Sequence, residues 1–226
     1  NPSPENLLWA HNNNGNFTTN SMYRALTHFK LPVRNNKKIW WSEIPLKVKI
    51  FMWYLRRGVV LTKDNLARRN WQGSKKCCFC THDETIIHLF LQCNFARSTW
   101  SVIQIVSSLH PPTSVANIFC HCLDGISNRF KTLLRVGVYA LLWSLWLCRN
   151  DFIFNDKNAS HLQAIFRCTH SLRTWSMLQR TEVQPLFKGG VRGWSRWLRR
   201  FLLNMGGSII SGSVHLTFRH RHTVGL

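Results

Sequence analysis

Four cysteines and two histidines crowd eighteen consecutive positions, 76–93, in the run KCCFCTHDETIIHLFLQC. Soft ligands at this density share a metal ion, pair as disulfides or pack as inert core groups, and each choice dictates a different local fold. Cys77 and Cys80 have C-x2-C spacing, which lets one tight turn aim two thiolates at a single ion. His88 and Cys93 complete the set C-x2-C-x7-H-x4-C, three thiolates and one imidazole, a full tetrahedral shell for one Zn2+. Protein atoms would fill every coordination position, so the expected role is structural, adding folding free energy to a segment with little core of its own. On a helix His88 and Cys93 stand about one turn and a third apart, so they meet one ion only near its end. Cys78 offers only a strained C-x-C bite, and His82 is expected to face solvent. The plainer alternative is a group of reduced core cysteines without metal. Cys120-His121-Cys122, Cys148, Cys168 and His170 read as packing residues.

Disulfides are disfavoured by the start of the sequence, NPSPENLLWAHNNNGNF, which lacks a basic region followed by an apolar run. Without an initiator Met, the chain is expected to be a fragment or a processed product. An intracellular protein of nucleus or cytoplasm, neither secreted nor transmembrane, is expected. Val136–Cys148 is apolar but for Ser144 and is closed by Arg135 and Arg149. A span needs roughly 20 apolar residues, so this stretch reads as a buried core helix.

Strand signals are few, and the pattern predicts a mainly α fold: a small helical domain around the CCHC finger, a helical extension and a poorly structured tail. Apolar periodicity marks helices over Thr19–Phe29, Lys37–Gly58 with Pro45 as an interruption or first-turn residue, and Thr62–Asn70 with Thr62 as cap. Further helices are expected over Phe95–Leu109, from Ser114 towards Gly125, over Asn128–Phe154 and over Ala159–Arg180.

The chain carries a formal charge of +21, which points to a polyanionic partner. From Arg24 to Lys76 there are fourteen Lys and Arg against two acids, Glu43 and Asp64, a net +12 in the stretch leading into the finger. Lys47, Lys49, Arg56, Arg57, Lys63, Arg68, Arg69, Lys75 and Lys76 are the candidate phosphate contacts for RNA or DNA, non-specific and salt-dependent. A solvated set of helix faces is the bland alternative. Catalysis is not expected. Polymerases need paired carboxylates for two metal ions, and among nine acids only Asp83 and Glu84 are adjacent, inside the finger loop where a loop-face role is expected. A hydrolase with water on an open Cys/His site would need a further base.

Several runs together resemble a known family. Lys38-Ile39-Trp40, then Ile44 to Trp53 (IPLKVKIFMW), then Leu61 to Arg69 (LTKDNLARR), the C-x2-C…H-L-F-x-x-C block and Trp100 are similar to the zinc-binding domain of reverse transcriptases. In particular they resemble that of plant non-LTR (LINE-type) retrotransposon polyproteins. Trp9, Gly15, Phe17, Ser21 and Tyr23 resemble its entry, and Trp143, Trp146, Arg149-Asn150 and Phe154 the W-x-x-W-x-x-R-N…F segment that follows it. The resemblance implies Cys77, Cys80, His88 and Cys93 as ligands, a nucleic-acid-handling role, the rest of such a polyprotein as a partner, and no membrane. It departs at Cys78, where the family has Pro, and at Thr81, where it has Gly, and weaker zinc binding is expected if Thr81 must adopt a left-handed backbone.

The expected organisation is an entry segment with a short helix at 1–36, the zinc-binding domain at 37–109, a helical extension at 110–182, and a basic, disordered or frame-shifted tail at 183–226. That tail lacks any Asp or Glu, and Trp194 and Trp197 are its candidates for base stacking. The competing functional expectation is a structural or protein-interaction domain, with Trp40, Trp53 and Phe90 as its core, or a retroelement relic, neither binding nucleic acid.

Overall fold

The computed structural model describes residues 9–10, 12, 14–22, 37–107, 109–120 and 122–205. It is mainly α-helical, and the one β pairing among the described residues is an isolated antiparallel bridge between Lys76 and Asp83. The chain divides into two compact units, Asn1–Trp41 and Ser42–Leu226.

In the first unit Trp9 N–H closes a loop onto the Gly15 carbonyl at 2.8 Å, with Gly15 at φ 68, a value that favours glycine. Trp9 and Phe17 meet edge to face at 5.0 Å. Residues 19–22 are helical, while Tyr23, Leu26 and Phe29 of the expected helix lie outside the described residues. A single turn, α1 (Lys37–Trp40), ends the unit; Ile39 is buried but Trp40 is 41% exposed, so Trp40 is not the core residue expected of it.

The second unit opens with α2 (Leu46–Arg57). Pro45 sits just before it, where its missing N–H costs nothing, and Gly58 ends it at φ 71. The predicted Lys37–Gly58 helix is thus broken at the proline. Next come α3 (Lys63–Ala67), a widened π turn (His88–Gln92), α4 (Asn94–Ser107) and α5 (Val115–Cys120). Ser114 Oγ accepts from Asn117 N–H at 3.1 Å and caps α5. The long α6 (Asn128–Asn155) and α7 (His161–Ser176) pack along one another, and α8 (Gln184–Met205) lies on both.

α6 is long and apolar enough to cross a membrane by length and composition alone. Its centre is occupied otherwise: Val136, Val138 to Leu142, Ser144, Leu145, Cys148 and Arg149 are buried, and the helix packs on α2, α7 and α8. Ala164, Ile165, Cys168, Leu172 and Trp175 bury the facing stripe of α7. Trp100 of α4 is 1% exposed, and its indole N–H donates to the Phe90 carbonyl at 2.8 Å, so its polar atom is satisfied within the core.

α7 starts at a reciprocal capping box, in which Ser160 Oγ accepts from Gln163 N–H and Gln163 Oε1 accepts from Ser160 N–H. Ser160→Ala is expected to cost about 1 kcal/mol and to lower the thermal midpoint by about 2–4 °C. An unchanged melting curve would show that the box contributes nothing.

Helical structure also continues past 182. α8 occupies Gln184–Met205, inside the stretch expected to be a disordered tail, because Phe187, Val191 and Trp194 recur at helical spacing and are buried. Trp194 donates its N–H to Thr169 Oγ1 at 2.6 Å and is 8% exposed, so it is a packing residue and not a base-stacking one. The Trp197 side chain and residues 206–226 lie outside the described part.

Candidate metal centre

Two short arms frame the cysteine turn. Cys77 N–H donates to the His82 carbonyl at 2.8 Å and Glu84 N–H to the Lys75 carbonyl at 2.8 Å, closing residues 77–82 into a knuckle. Across it Lys76 and Asp83 pair at 2.9 Å on the exposed side, and Lys76 holds the Asp83 carboxyl below its ordinary range. Thr81 needs no strained backbone: among the described non-glycine residues only Asn70 and Asp156 have positive φ. The knuckle therefore closes without the glycine that the family pattern places there.

His88 and Cys93 approach one another because the helix between them widens. Cys93 N–H donates to the His88 carbonyl at 2.7 Å, an i→i+5 bond that adds a residue to the turn. His88 N–H is capped by Thr85 Oγ1 at 3.1 Å. On a regular helix the two side chains would diverge; the π turn brings them onto one side at the helix end.

The ligand atoms of Cys77, Cys80, His88 and Cys93 all lie within 4.8 Å of one another. Cys77 and Cys93 Sγ are 4.0 Å apart, and Cys93 and Cys80 Sγ 3.9 Å. A tetrahedral ion with bonds of about 2.3 Å to sulfur separates two thiolates by about 3.8 Å. Cys80 Sγ lies 3.1 Å from His88 Nε2, a slightly shorter edge. The donor set fits Zn2+ in chemistry and in spacing. Cys77 Sγ also accepts from Phe79 N–H at 3.4 Å, an outer hydrogen bond of the kind that steadies a thiolate ligand. Hydrogen bonds from Cys78 and Cys93 draw the Cys77 thiol far below its ordinary range, while that donation to Cys77, together with burial, pushes both of those thiols up.

Cys78 is not one of the four residues whose ligand atoms meet at this centre. Its sulfur groups with Cys77 and Glu84, and the Glu84 charge helps to keep the thiol protonated. His82 is exposed, with Nδ1 3.7 Å from Cys80 Sγ and its ring stacked near His88.

Glu84 was the residue most misjudged by sequence. It is 0% exposed, not on the loop face that Asp83 occupies. Its Oε1 accepts from Arg149 Nη2 at 2.8 Å, Arg149 Nε at 3.2 Å and Lys63 N–H at 3.0 Å. The carboxylate thus joins the finger, the first turn of α3 and the long helix α6. It also supplies the α3 cap expected of Thr62, whose hydroxyl instead donates to Asp64 and Val60. Arg149 is 3% exposed, stacks over Trp146 at 4.9 Å and donates to the Leu61 carbonyl. Trp146 lies against Phe51 and Phe90.

Residues 17–100 match the family model described as zinc-binding in reverse transcriptase. This segment is similar to the zinc-binding domain of reverse transcriptases. An Arabidopsis thaliana protein named "Putative ribonuclease H protein" is 27% identical over 167 residues, 68% of this chain. The chain spans about a quarter of that relative, 26% of its length. No solved structure matches significantly.

Around the Cys/His cluster the nine candidate phosphate contacts fall into two sets. Lys63 Nζ donates to the Lys76 carbonyl, Arg68 faces Asp64 at 4.0 Å, Lys76 pairs with Asp83, and Arg56 lies over the Phe119 ring at 5.5 Å. Lys47, Arg57, Arg69 and Lys75 are exposed, Arg57 stacked on Trp53 at 4.4 Å, and Lys49 is half-buried. Cys120 is exposed and Cys122 half-buried, with His121 between them outside the described residues; Cys148 and Cys168 are buried.

Proposed function

We propose that the chain is a zinc-stabilised nucleic-acid-binding module of a reverse-transcriptase-type polyprotein, with one structural Zn2+ held by Cys77, Cys80, His88 and Cys93. The observation that carries this reading is the joining of the basic segment to the metal knuckle. Lys63 is tied by its N–H to Glu84 and by its Nζ to the Lys76 carbonyl, so α3 and the finger arm form one platform. On it Arg69 and Lys75 are exposed, and between them in sequence stands Trp71, 40% exposed with its ring over Gly73. Cations for phosphate beside an open aromatic face are the elements of sequence-tolerant strand binding. In this reading the module grips RNA or DNA for a catalytic region elsewhere, acts inside the cell and has no cleavage activity of its own. The ribonuclease H in the relative's name would belong to such a neighbouring region.

Each lost phosphate contact lowers the slope of log K against log salt by about 0.7–0.9. The double variant R69Q/K75Q should therefore reduce that slope by about one and a half in an anisotropy titration with a labelled oligonucleotide. Salt-independent binding by the wild-type chain would sink the reading.

A protein-interaction role has its own support. Leu46, Ile50 and Tyr54 form an exposed stripe at four-residue spacing on α2. It is favoured if the wild-type chain ignores oligonucleotides at physiological salt while L46E/I50E abolishes association with another segment of the polyprotein.

A further inference from the structure

A second basic site lies on the helical extension. α7 and α8 border a cleft of about 480 Å3 lined by Arg173 of α7 and by Lys188, Arg192 and Arg196 of α8, and none of its lining residues is acidic. Ser176 and Ser195 also line it. Ser195 Oγ accepts from Arg173 Nη2 at 2.8 Å while donating to the Val191 carbonyl, and Ser176 Oγ donates to the Arg173 carbonyl. The hydroxyl protons are thus spent on holding the helices and the guanidinium, which leaves the cationic N–H groups to meet a ligand.

The helix that supplies three of these cations is poorly suited to stand by itself. Lys188, Arg192 and Arg196 recur every four residues, so like charges stack on one face. Gly189, Gly190 and Gly193 interrupt the same turns, and glycine weakens a helix interior. Of these, Gly190 has a packing reason, since a Cβ there would meet Leu133 Cδ2 at 2.9 Å; Gly189 and Gly193 face open space. An anion in the cleft would remove the repulsion that this helix otherwise carries.

The length of the row selects the kind of anion. Eight residues of helix span about 12 Å. That is far longer than one phosphate group and comparable to several steps along a strand, whose phosphates follow one another at about 3.4 Å of axial rise in a duplex.

We infer that the α7–α8 cleft is a second phosphate-binding surface, seating the backbone of a nucleic-acid strand on Arg173, Lys188, Arg192 and Arg196. This rests on the nucleic-acid reading above and extends it from the zinc platform to the helical extension.

The test is an anisotropy titration across salt, using the full zinc-loaded chain with a labelled single-stranded RNA and a DNA duplex. K188Q/R192Q/R196Q should lower the slope of log K against log salt by about two to three, while K188R/R192K/R196K preserves it. All three replaced side chains are exposed, and circular dichroism on each variant checks that α8 remains folded. If R69Q/K75Q lowers the slope and the α8 glutamine variant does not, the cleft inference fails alone. If the wild-type chain binds no oligonucleotide, the nucleic-acid reading fails with it. Two controls separate other anions: inorganic phosphate, and phosphatidylserine vesicles. Triple-variant-sensitive binding to either of these, with oligonucleotide binding unaltered, would overturn the strand assignment.

Discussion

A chain carrying Cys80→Ser is expected to bind no zinc and to lose the order of residues 75–93. Cys80 Sγ contacts both His88 Nε2 and Cys93 Sγ, so it sits at the junction of the two ligand pairs. Structural zinc contributes about 10–16 kcal/mol to finger peptides that have no other core. The effect here is expected to concentrate in that segment, because Trp100, Leu141, Leu145 and Ile165 keep a core outside it that does not depend on the metal. Native mass spectrometry under reducing conditions should find one zinc in the wild-type chain and none in the variant. Limited proteolysis should then cut the variant between Gln72 and Gln92 while α6 and α7 survive. A folded wild-type chain without zinc would sink the metal assignment and leave four reduced thiol and imidazole groups packed by chance.

Arg149→Ala is expected to be nearly as damaging, though it touches no ligand. Removing one partner of a buried ion pair leaves the other charge uncompensated, at about 3–5 kcal/mol. For a chain of this length the thermal midpoint should fall by about 6–20 °C, taking 2–4 °C per kcal/mol. Glu84 also accepts from Lys63 N–H, so loss of its arginine should loosen the knuckle and raise the rate at which a chelator strips zinc. Exchanging both partners for apolar residues, E84L/R149M, should cost much less than either single change, since apolar replacements of buried pairs are often near neutral. A double-mutant cycle measures the difference. Coupling below about 0.5 kcal/mol would mean that the two side chains are neighbours without consequence.

What the sequence disclosed and what it concealed follow from the range of the interactions involved. The Cys/His cluster reads directly, because two of its members share a turn and the others are near in sequence. α6 reads almost to the residue: Asn128–Phe154 is expected and Asn128–Asn155 observed. The π turn was hidden, since its one added residue leaves no mark in the apolar pattern. Glu84 was hidden because its partner lies 65 residues away, and an acid next to Asp83 in a polar loop reads as surface. α8 is legible only in part: an amphipathic pattern stands out over Trp194–Leu203, while the glycines and the lack of acids obscure the first half of Gln184–Met205. Trp40 shows the converse, a large aromatic residue left partly exposed.

The Glu84–Arg149 pair also separates two meanings of the word domain. The stretch that a family pattern recognises closes at residue 100. A chain truncated there would keep Glu84, fully enclosed, and discard the guanidinium that neutralises it. Trp146, against which Phe51 and Phe90 rest, would go too. The smallest piece able to fold by itself should therefore reach at least the end of α6, so the unit of inheritance is shorter than the unit of stability. Expression of residues 42–100 is expected to yield aggregated or protease-sensitive protein even in excess zinc, and of residues 42–205, which keeps the buried Phe187 and Trp194, a folded one.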